Sequence, residues 1–292
     1  MYITELETPA VLLDLDIAEK NLLTFQHASD KYKKSLWPMV KTHKSSSLLK
    51  KQMELGAEGF LCGTIDECEM AVEAGAGKIM YAYPPANPKN ISRLAVLAHK
   101  ADIIIRIDHL DVARMLETAA EKEGITFFYS IIVDMDFHRF GVAPAKVVAF
   151  AQEMKQFSHL KFFGISTHPG QVYGCTTQAE RQSVAKLETE TMGSVAADLK
   201  AAGFTDFFVT SGSTPTFALT VDQPEIQIYH PGNYIYHDAI QIALGSATEA
   251  DCSLSVLATI ISHPSEDVYL CDAGAKCLGL DQGAHGSAAV TG

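Results

Sequence analysis

Residues 102–134 read DIIIRIDHLDVARMLETAAEKEGITFFYSIIVD, and the fold class can be inferred from this stretch. Its two ends, residues 102–108 and 126–134, are short runs of β-branched and aromatic residues, which predict buried strands. The segment between them has apolar residues at helical spacing, carries an acid near its start and ends in Gly124. A strand, a helix and a second strand in this order predict a βα unit whose strands run parallel.

The same alternation recurs along the chain. Short apolar runs predict strands at 37–43, 59–64, 78–83, 102–108, 126–134, 161–168, 206–211 and 225–230. Eight parallel strands with alternating helices are typical of a (β/α)8 TIM barrel, which we predict for residues 13–244. A doubly wound open sheet is the alternative within the α/β class.

The pattern changes after Gly245. Residues 252–264 and 267–280 alternate apolar and small polar side chains, with turn residues and no helical stretch between them. This predicts antiparallel strands, which we assign, with residues 1–12, to an incomplete C-terminal β domain over 245–292. Because two or three strands alone would expose their edges, we expect the sequence to be a C-terminally shortened version of a longer protein.

Composition excludes several classes of protein. The 292 residues are 47% hydrophobic, enough for a substantial core, and carry 23 basic against 35 acidic residues, a net charge of −12. No basic run is dense enough for nucleic acid, and no apolar run is long enough for a membrane helix. The N-terminus lacks the lysines of a signal peptide, and the six cysteines include no CxxC pair. We expect a cytoplasmic protein with reduced thiols and neither nucleic-acid nor membrane partners.

In a TIM barrel the functional residues follow the C-terminal ends of the strands. The predicted strand ends carry polar groups at 41–44, 136–141, 166–170 with Tyr173 beyond, 211–214 and 230–234. Ser211, Gly212, Ser213 and Thr214, with the second loop at 230–234, would present backbone N–H groups and hydroxyls to one anion, as a phosphate cup. The alternative is that these residues serve only as turns and N-caps.

Lys41 is the candidate nucleophile. With period-two alternation, Met39, Lys41 and His43 share one face of the first strand, so an inward Met39 places Lys41 near the catalytic rim. A lysine in an apolar barrel mouth needs a partner or a lowered pKa, the condition for a Schiff-base lysine. The alternative is that Lys41 and Lys44 are ordinary solvated lysines before a helix.

Six motifs, in order along the chain, carry a resemblance to a known family. They are VKTHKS at 40–45, VDMDFHRFGV at 133–142, GISTHPGQVYG at 164–174, SGSTPT at 211–216, HPGNYIYHD at 230–238 and DAGAK at 272–276. The chain resembles the fold-type III pyridoxal-phosphate enzymes, and among them the D-serine dehydratase and D-threonine aldolase family, whose barrel is related to alanine racemase.

The resemblance implies a role for each matching residue. Lys41 would form the Schiff base with the pyridoxal 5′-phosphate cofactor and exchange protons at the substrate Cα. Arg139 would contact the ring phenolate, with a structural ion pair as its alternative role. His168 would lie against the pyridine ring and Tyr173 near the substrate. The phosphate would be bound by Ser211, Gly212, Ser213, Thr214, Gly232, Asn233 and Tyr234.

Three departures from the family pattern stand out. Trp37-Pro38-Met39 replaces an Arg-Pro-His, which we expect to affect specificity. His230 stands where alanine racemase has an arginine facing the pyridine nitrogen, and we expect it to act as a neutral donor. No HxC or HxD pair follows Gly245, and the setting of His285 indicates a turn. We therefore expect the zinc or manganese site to be missing from this chain and to require the absent C-terminal segment.

The resemblance implies a lyase for β-hydroxy D-amino acids, which would release either water or an aldehyde. The alternatives are an amino-acid racemase and a non-catalytic protein of pyridoxal-phosphate homeostasis. Family members are commonly homodimers in which the β domain of one subunit closes over the barrel of the other. We therefore expect a homodimer with a small-molecule D-amino acid as substrate.

Overall fold

The computed structural model describes residues 2–275 and 277–278. Its strands are β1 (Ala10–Leu13), β2 (Ser35–Leu36), β3 (Phe60–Cys62), β4 (Lys78–Tyr81), β5 (Asp102–Ile107), β6 (Phe127–Ile132), β7 (Leu160–Ser166), β8 (Phe208–Ser211), β9 (Ile228–Tyr229), β10 (Leu254–Leu257), β11 (Ile260–Ser265) and β12 (Val268–Cys271). Seven of the eight strands predicted before Gly245 are thus present with shorter bounds, and the first, predicted at 37–43, is replaced by β2 just before it.

Helices follow the parallel strands. The α-helices are α1 (Leu15–Lys31), α2 (Ser46–Glu54), α3 (Ile65–Glu73), α4 (Pro88–Leu97), α5 (Leu110–Glu123), α6 (Val147–Met154), α7 (Gln178–Ala201), α8 (Thr214–Thr220) and α9 (Ala239–Ala243). Short 3-10 turns lie at Ile3–Glu5, Val40–Thr42, Pro144–Lys146, Gly170–Gly174, Asn233–Ile235 and Glu249–Asp251. Side-chain caps start several helices: Asp14, Thr64 and Thr177 each accept a hydrogen bond from the first turn. In the part of the chain that the structure describes, no helix is long and apolar enough to cross a membrane.

The eight parallel strands form one sheet in the order β2-β9-β8-β7-β6-β5-β4-β3. A parallel bridge between Met39 and Leu61 joins the two ends of this order. Beside it, the Leu61 N–H donates to the Pro38 carbonyl at 2.9 Å, while the Met39 N–H donates to Pro231 at 3.0 Å on the other side. The predicted TIM barrel is confirmed, and the open sheet is wrong.

The first barrel strand differs from its prediction. Only Ser35–Leu36 form a strand, Met39 contributes an isolated bridge, and Val40–Thr42 form a 3-10 turn. The physical reason is local: the N–H groups of His43 and Lys44 both donate to the Val40 carbonyl, which closes the chain into a turn. The extended segment predicted at 37–43 therefore ends at Met39.

The core has two layers, one on each side of the sheet. Along β5, Ile103 and Ile105 belong to the large layer between sheet and helices, whereas Ile104 belongs to a smaller cluster inside the barrel. The inner cluster contains Trp37, Met39, Leu61, Met80, Ala82, Ile104 and Ile228. The alternation places Arg106, two residues after Ile104, on the inner side as well.

Antiparallel strands follow Gly245, as predicted. β10 pairs with β1 from Ala10↔Leu257 to Leu13↔Leu254, and β11 pairs with β12. The pairing of β1 with β10 brings the start of the chain beside residues that follow the barrel. The expectations for Lys276 of the DAGAK motif and for His285 lie outside the described residues.

Gly164 gives a test of the close approach between β7 and β8. It has φ +153°, and a Cβ built on it would lie 1.9 Å from the Phe208 carbonyl oxygen. Because both the backbone conformation and the neighbouring strand oppose a side chain, we expect Gly164→Ala to lower the free energy of unfolding by about 4 kcal/mol. Urea denaturation measures this loss.

Gly77→Ala is the matched control, because a Cβ at Gly77 meets nothing within 4 Å. We expect it to change the free energy of unfolding by less than about 0.5 kcal/mol. Equal stability of the two variants would contradict the interpretation of Gly164 as a steric requirement of the barrel.

Candidate functional site

The carboxyl ends of the parallel strands surround one pocket, which encloses about 500 Å³ including its open mouth. The lining residues are Met39, Lys41, Thr42, Leu61, Arg106, Thr167, His168, Tyr173, Gly212, Ser213, Thr214, His230, Gly232 and Asn233. Most of the residues predicted from strand ends therefore meet at one rim. Three of them, Arg139, Ser211 and Tyr234, do not line this pocket.

Lys41 reaches the pocket from the 3-10 turn Val40–Thr42. The predicted reason, alternation with Met39 and His43 along a strand, is wrong, because the chain has left the strand by Val40. His43 does not line the pocket; its Nδ1 accepts a hydrogen bond from the Ser45 N–H at 3.1 Å. The turn, and not strand periodicity, places the lysine at the rim.

The surroundings of the Lys41 amine favour its neutral form. Part of the side chain is exposed at the pocket mouth. Desolvation nevertheless lowers the pKa of Lys41, Arg139 lowers it further by repulsion, and Glu67 raises it. Lys44 differs: its side chain is 63% exposed, and its amine lies 3.9 Å from the Glu67 carboxylate. The surroundings of Lys41 therefore differ from those of Lys44 and favour a perturbed lysine over an ordinary solvated one.

The predicted phosphate cup lies between the loops that follow β8 and β9. Gly212 has φ +127°, and a Cβ on it would lie 3.0 Å from the backbone nitrogen of His230, so glycine lets the two loops approach. A Cβ on Gly232 would lie 2.9 Å from Thr42 Oγ1. Within the described residues, the buried Thr214 hydroxyl has no hydrogen-bond partner. A buried hydroxyl at a pocket wall fits an oxyanion that would accept its proton.

Ser211 and Tyr234 were predicted to bind the phosphate, but the structure places them behind the pocket wall. The Ser211 hydroxyl donates to Glu188 Oε1 at 2.6 Å. The Tyr234 hydroxyl accepts a hydrogen bond from Gln52 Nε2 at 2.9 Å, and its ring packs against Phe25. The hydroxyl of each residue therefore hydrogen-bonds to a buried side chain behind the pocket wall and does not face the cup.

Both pocket histidines are held neutral. Burial, followed by repulsion from Arg139, Arg106 and Lys41, holds the pKa of His168 well below its usual range. Burial lowers the pKa of His230 to about 3. Neither ring therefore carries a charge at neutral pH.

His230 has a defined tautomer. Its Nδ1 lies 2.9 Å from the Trp37 carbonyl oxygen and must donate to it. Nε2 then carries the lone pair and has no hydrogen-bond partner in the described part of the chain. In this tautomer a neutral His230 presents an acceptor at Nε2, and not the donor expected from the sequence.

The Tyr173 phenol also stays protonated. Burial raises its pKa, the Asp238 carboxylate raises it further, and a hydrogen bond with Gln241 opposes both. Tyr173 lines the pocket from the 3-10 turn Gly170–Gly174, which follows β7. It can therefore donate a hydrogen bond but cannot act as an anionic base at neutral pH.

Arg139 packs against aromatic rings. Its guanidinium lies 4.6 Å from the ring centre of Phe140, 5.1 Å from that of Phe137 and 5.9 Å from that of Tyr83. In the described residues it makes no ion pair with a carboxylate. The alternative of a structural ion pair is therefore wrong, and burial lowers the pKa of Arg139.

Arg106 was not among the predicted site residues. It is 3% exposed, and it donates to Ser166 Oγ at 2.9 Å and to the Thr167 carbonyl at 3.1 Å. Burial and then repulsion from Arg139 lower its pKa to about 9, and no ion pair with a carboxylate balances it within residues 2–275. The sequence signal for Arg106 was its position as the single arginine in the apolar strand DIIIRID. It lies two residues after Ile104 and so points to the same, inner side of the barrel.

The pocket therefore has the cations and donors that suit an anion. Lys41 and Arg106 line it, Arg139 lies close enough to perturb both of them, and the cup adds hydroxyl and backbone donors. Among the residues that the structure describes, no group of three or more His, Cys, Asp or Glu could hold a metal ion. The pocket lining as described does not fit a metal centre.

Comparison with known proteins gives a consistent set of relatives. The family model for the alanine racemase N-terminal domain matches residues 13–239, and a serine dehydratase domain model matches 253–292. D-threo-3-hydroxyaspartate dehydratase from Delftia sp. is 29% identical over 95% of this chain and 74% of its own. D-serine dehydratase from Dictyostelium discoideum is 27% identical over 96% of this chain and 76% of its own.

A solved structure extends the comparison to the fold. The crystal structure of D-threonine aldolase from Filomicrobium marinum superposes with a TM-score of 0.90 at 26% identity. The match covers 96% of this chain and 76% of that one. The barrel and the strands that follow it are thus similar in arrangement to those of an enzyme that carries both.

Arg106 can be tested as part of the anion site. We expect Arg106→Met to weaken the binding of inorganic phosphate roughly tenfold, because it removes a buried cation from the pocket wall, and a factor of ten corresponds to about 1.4 kcal/mol. Isothermal titration calorimetry at one fixed pH measures the affinity.

The matched control is Arg114→Met, since Arg114 is an exposed arginine on α5 that pairs with Asp111. It should bind phosphate as the unchanged protein does. If Arg106→Met also binds phosphate with unchanged affinity, Arg106 serves only to join β5 to β7 through Ser166 and Thr167.

Proposed function

The chain belongs to the family of the alanine racemase N-terminal domain, and from this premise we propose that it is a pyridoxal 5′-phosphate-dependent lyase acting on β-hydroxy D-amino acids. The observation that carries the proposal is a lysine of lowered pKa at the mouth of a pocket whose opposite loops form an anion cup. The names of the relatives, which are dehydratases and aldolases of such amino acids, support the reaction class.

The residues present fit the cofactor group by group. The Gly212–Thr214 and Gly232–Asn233 loops would hold its phosphate, and the free hydroxyl of Thr214 would donate to it. Lys41 would bond to its aldehyde carbon, and the fixed cations Arg106 and Arg139 would stabilise its anionic ring oxygen. When bound, the cofactor supplies an electron sink for the charge that develops at the substrate Cα.

The protonation states of the pocket side chains determine which of them would accept a proton and which would donate a hydrogen bond. A lowered pKa gives Lys41 a larger neutral fraction near pH 7, so its Nζ can accept the proton of the substrate Cα. Tyr173 keeps its hydroxyl proton and can donate a hydrogen bond to the substrate. The neutral rings of His168 and His230 add no charge to a wall that already carries Arg106.

We include the oligomeric state and the compartment in the proposal. Exposed apolar side chains lie on the β11 and β12 pair, where Ile260 is 61%, Ile261 65% and Tyr269 60% exposed. These exposed side chains support a homodimer in which they are covered by the second subunit. All six cysteines are free thiols, which supports a reducing, cytoplasmic compartment.

The proposed role of Lys41 has a direct test. Purified protein incubated with pyridoxal 5′-phosphate should turn yellow, and borohydride should bleach the colour and fix the cofactor on Lys41, because only this lysine lines the pocket within the described residues. Peptide mapping locates the adduct. Lys41→Ala should abolish it, whereas Lys44→Ala should retain it; an adduct on Lys44 would contradict the assignment.

The reaction class is tested with substrates. D-serine, D-threonine and D-threo-3-hydroxyaspartate are supplied to the cofactor-loaded protein, and 2-oxo acid, ammonia, glycine and aldehyde are measured, with chelator and with added zinc or manganese as separate arms. We expect product from at least one β-hydroxy substrate and none from D-alanine. Racemisation of D-alanine without any lyase product would contradict the proposal.

The influence of Glu67 on Lys41 gives a prediction with a definite sign. Glu67 raises the pKa of Lys41, so Glu67→Gln should lower that pKa further and let the amine react with the cofactor aldehyde at lower pH. The measurement is the pH midpoint of the visible band of the bound cofactor. Glu69→Gln, on the same helix but paired with Arg93, is the control and should leave the midpoint in place. An upward shift with Glu67→Gln would show that this charge does not act on Lys41.

A further inference from the structure

Glu188 is a buried carboxyl that the proposed reaction does not use. It lies on α7 with no exposed surface, directly behind the loop that follows β8. Its Oε1 accepts a hydrogen bond from Ser211 Oγ at 2.6 Å, while Oε2 is buried and has no hydrogen-bond partner in the described part of the chain. A carboxyl with one satisfied and one unsatisfied oxygen is suited to carry a proton on the second oxygen.

The surroundings of Glu188 keep the neutral form available near pH 7. Burial raises its pKa to about 7, and the nearby hydroxyls of Ser211 and Thr216 oppose the increase. No described cation pairs with it. Tyr229 is close enough for the charge of Glu188 to act on it, but its hydroxyl donates to the Thr220 carbonyl at 2.6 Å. Arg181 on the same helix donates to the Leu244 carbonyl. The neutral form of the Glu188 carboxyl is therefore accessible near pH 7.

A short chain of hydroxyls leads from this carboxyl to the pocket. Thr216 lies near Glu188, and Thr216 Oγ1 is 3.1 Å from Ser213 Oγ. Ser213 lines the pocket. Either hydroxyl of this pair can be the donor. The protonation state of Glu188, at the buried end of the row of hydroxyls, therefore sets the direction in which they donate.

We propose that neutral Glu188 is a positioning residue that directs the hydroxyl hydrogens of the cup toward a bound phosphate. Its Oε2–H would donate to Thr216 Oγ1, Thr216 would donate to Ser213 Oγ, and the Ser213 hydrogen would then be free for an anion in the pocket. The proposal deepens the proposed function, since it assigns the cup to the cofactor phosphate.

Ionisation of Glu188 would reverse the direction of the hydrogen bonds between these hydroxyls. A carboxylate would accept from Thr216, so Thr216 could then only accept from Ser213. Thr216 and the anion would compete for the single hydrogen of Ser213. Phosphate affinity should therefore fall as the pH rises through about 7. Inorganic phosphate itself gains negative charge over the same range, which alone would strengthen its binding to a cationic pocket, so a decrease points to the protein.

The experiment measures inorganic phosphate and pyridoxal 5′-phosphate binding by calorimetry between about pH 6 and pH 8.5. In the unchanged protein we expect phosphate affinity to fall roughly fivefold with rising pH, the value of about one hydrogen bond. Glu188→Gln should keep the low-pH affinity throughout, because its amide accepts from Ser211 and donates to Thr216 at any pH. Glu188→Met should bind phosphate weakly at every pH.

Two further variants keep the test sharp. Glu190→Gln, an exposed carboxyl on α7 paired with Lys186, should behave as the unchanged protein does. Thr216→Val breaks the hydroxyl chain without removing the buried carboxyl, and it should lose the pH dependence even if Glu188→Met fails to fold. Identical pH profiles for the unchanged protein and Glu188→Gln would overturn the proposal.

The two probes separate this inference from the proposed function. If the cofactor does not bind but Glu188→Gln still removes the pH dependence of inorganic phosphate affinity, the cofactor assignment is wrong and the role of Glu188 is supported. If the cofactor binds equally to all variants at every pH, the role of Glu188 is wrong and the lyase proposal stands.

Discussion

The main-chain hydrogen bonds around Met39 are the interaction on which the pocket depends. The Met39 N–H donates to Pro231, and the Pro38 carbonyl accepts from Leu61, so this one segment joins β9 to β3 and closes the barrel. Lys41 follows two residues later, and Gly232 follows Pro231 directly. The closure therefore sets the distance between Lys41 and the loop at Gly232, because both are attached to the residues that make it.

The electrostatics of the site are local and run against the charge of the whole chain. The chain carries a net charge of −12, yet the pocket wall contains Lys41 and Arg106, with Arg139 beside it and no ion pair on either arginine in the described residues. Burying unpaired cations destabilises a protein unless a ligand supplies the opposite charge. Among the three cations it is Arg106, 3% exposed, whose desolvation an anionic ligand would offset.

Polar contacts behind the pocket wall orient the residues next to it. Ser211 donates to Glu188, Tyr234 accepts from Gln52, and the lining residue His230 is held by the Trp37 carbonyl. The contact with Trp37 decides that Nε2 of His230 carries the lone pair, and such orientation matters to recognition as well as residue type.

The sequence by itself determined the number and order of the parallel strands, the antiparallel strands after Gly245 and most of the pocket lining, because apolar periodicity and strand ends are local properties of the chain. It also carried the family resemblance, through motifs spaced along its whole length. Tertiary structure alone decided that Lys41 sits on a turn, that Ser211 and Tyr234 point away from the pocket, and that Arg106 points into it unpaired. Periodicity shows which side chains are buried, but the partner of a buried polar group comes from a distant segment, and only the folded chain brings the two together.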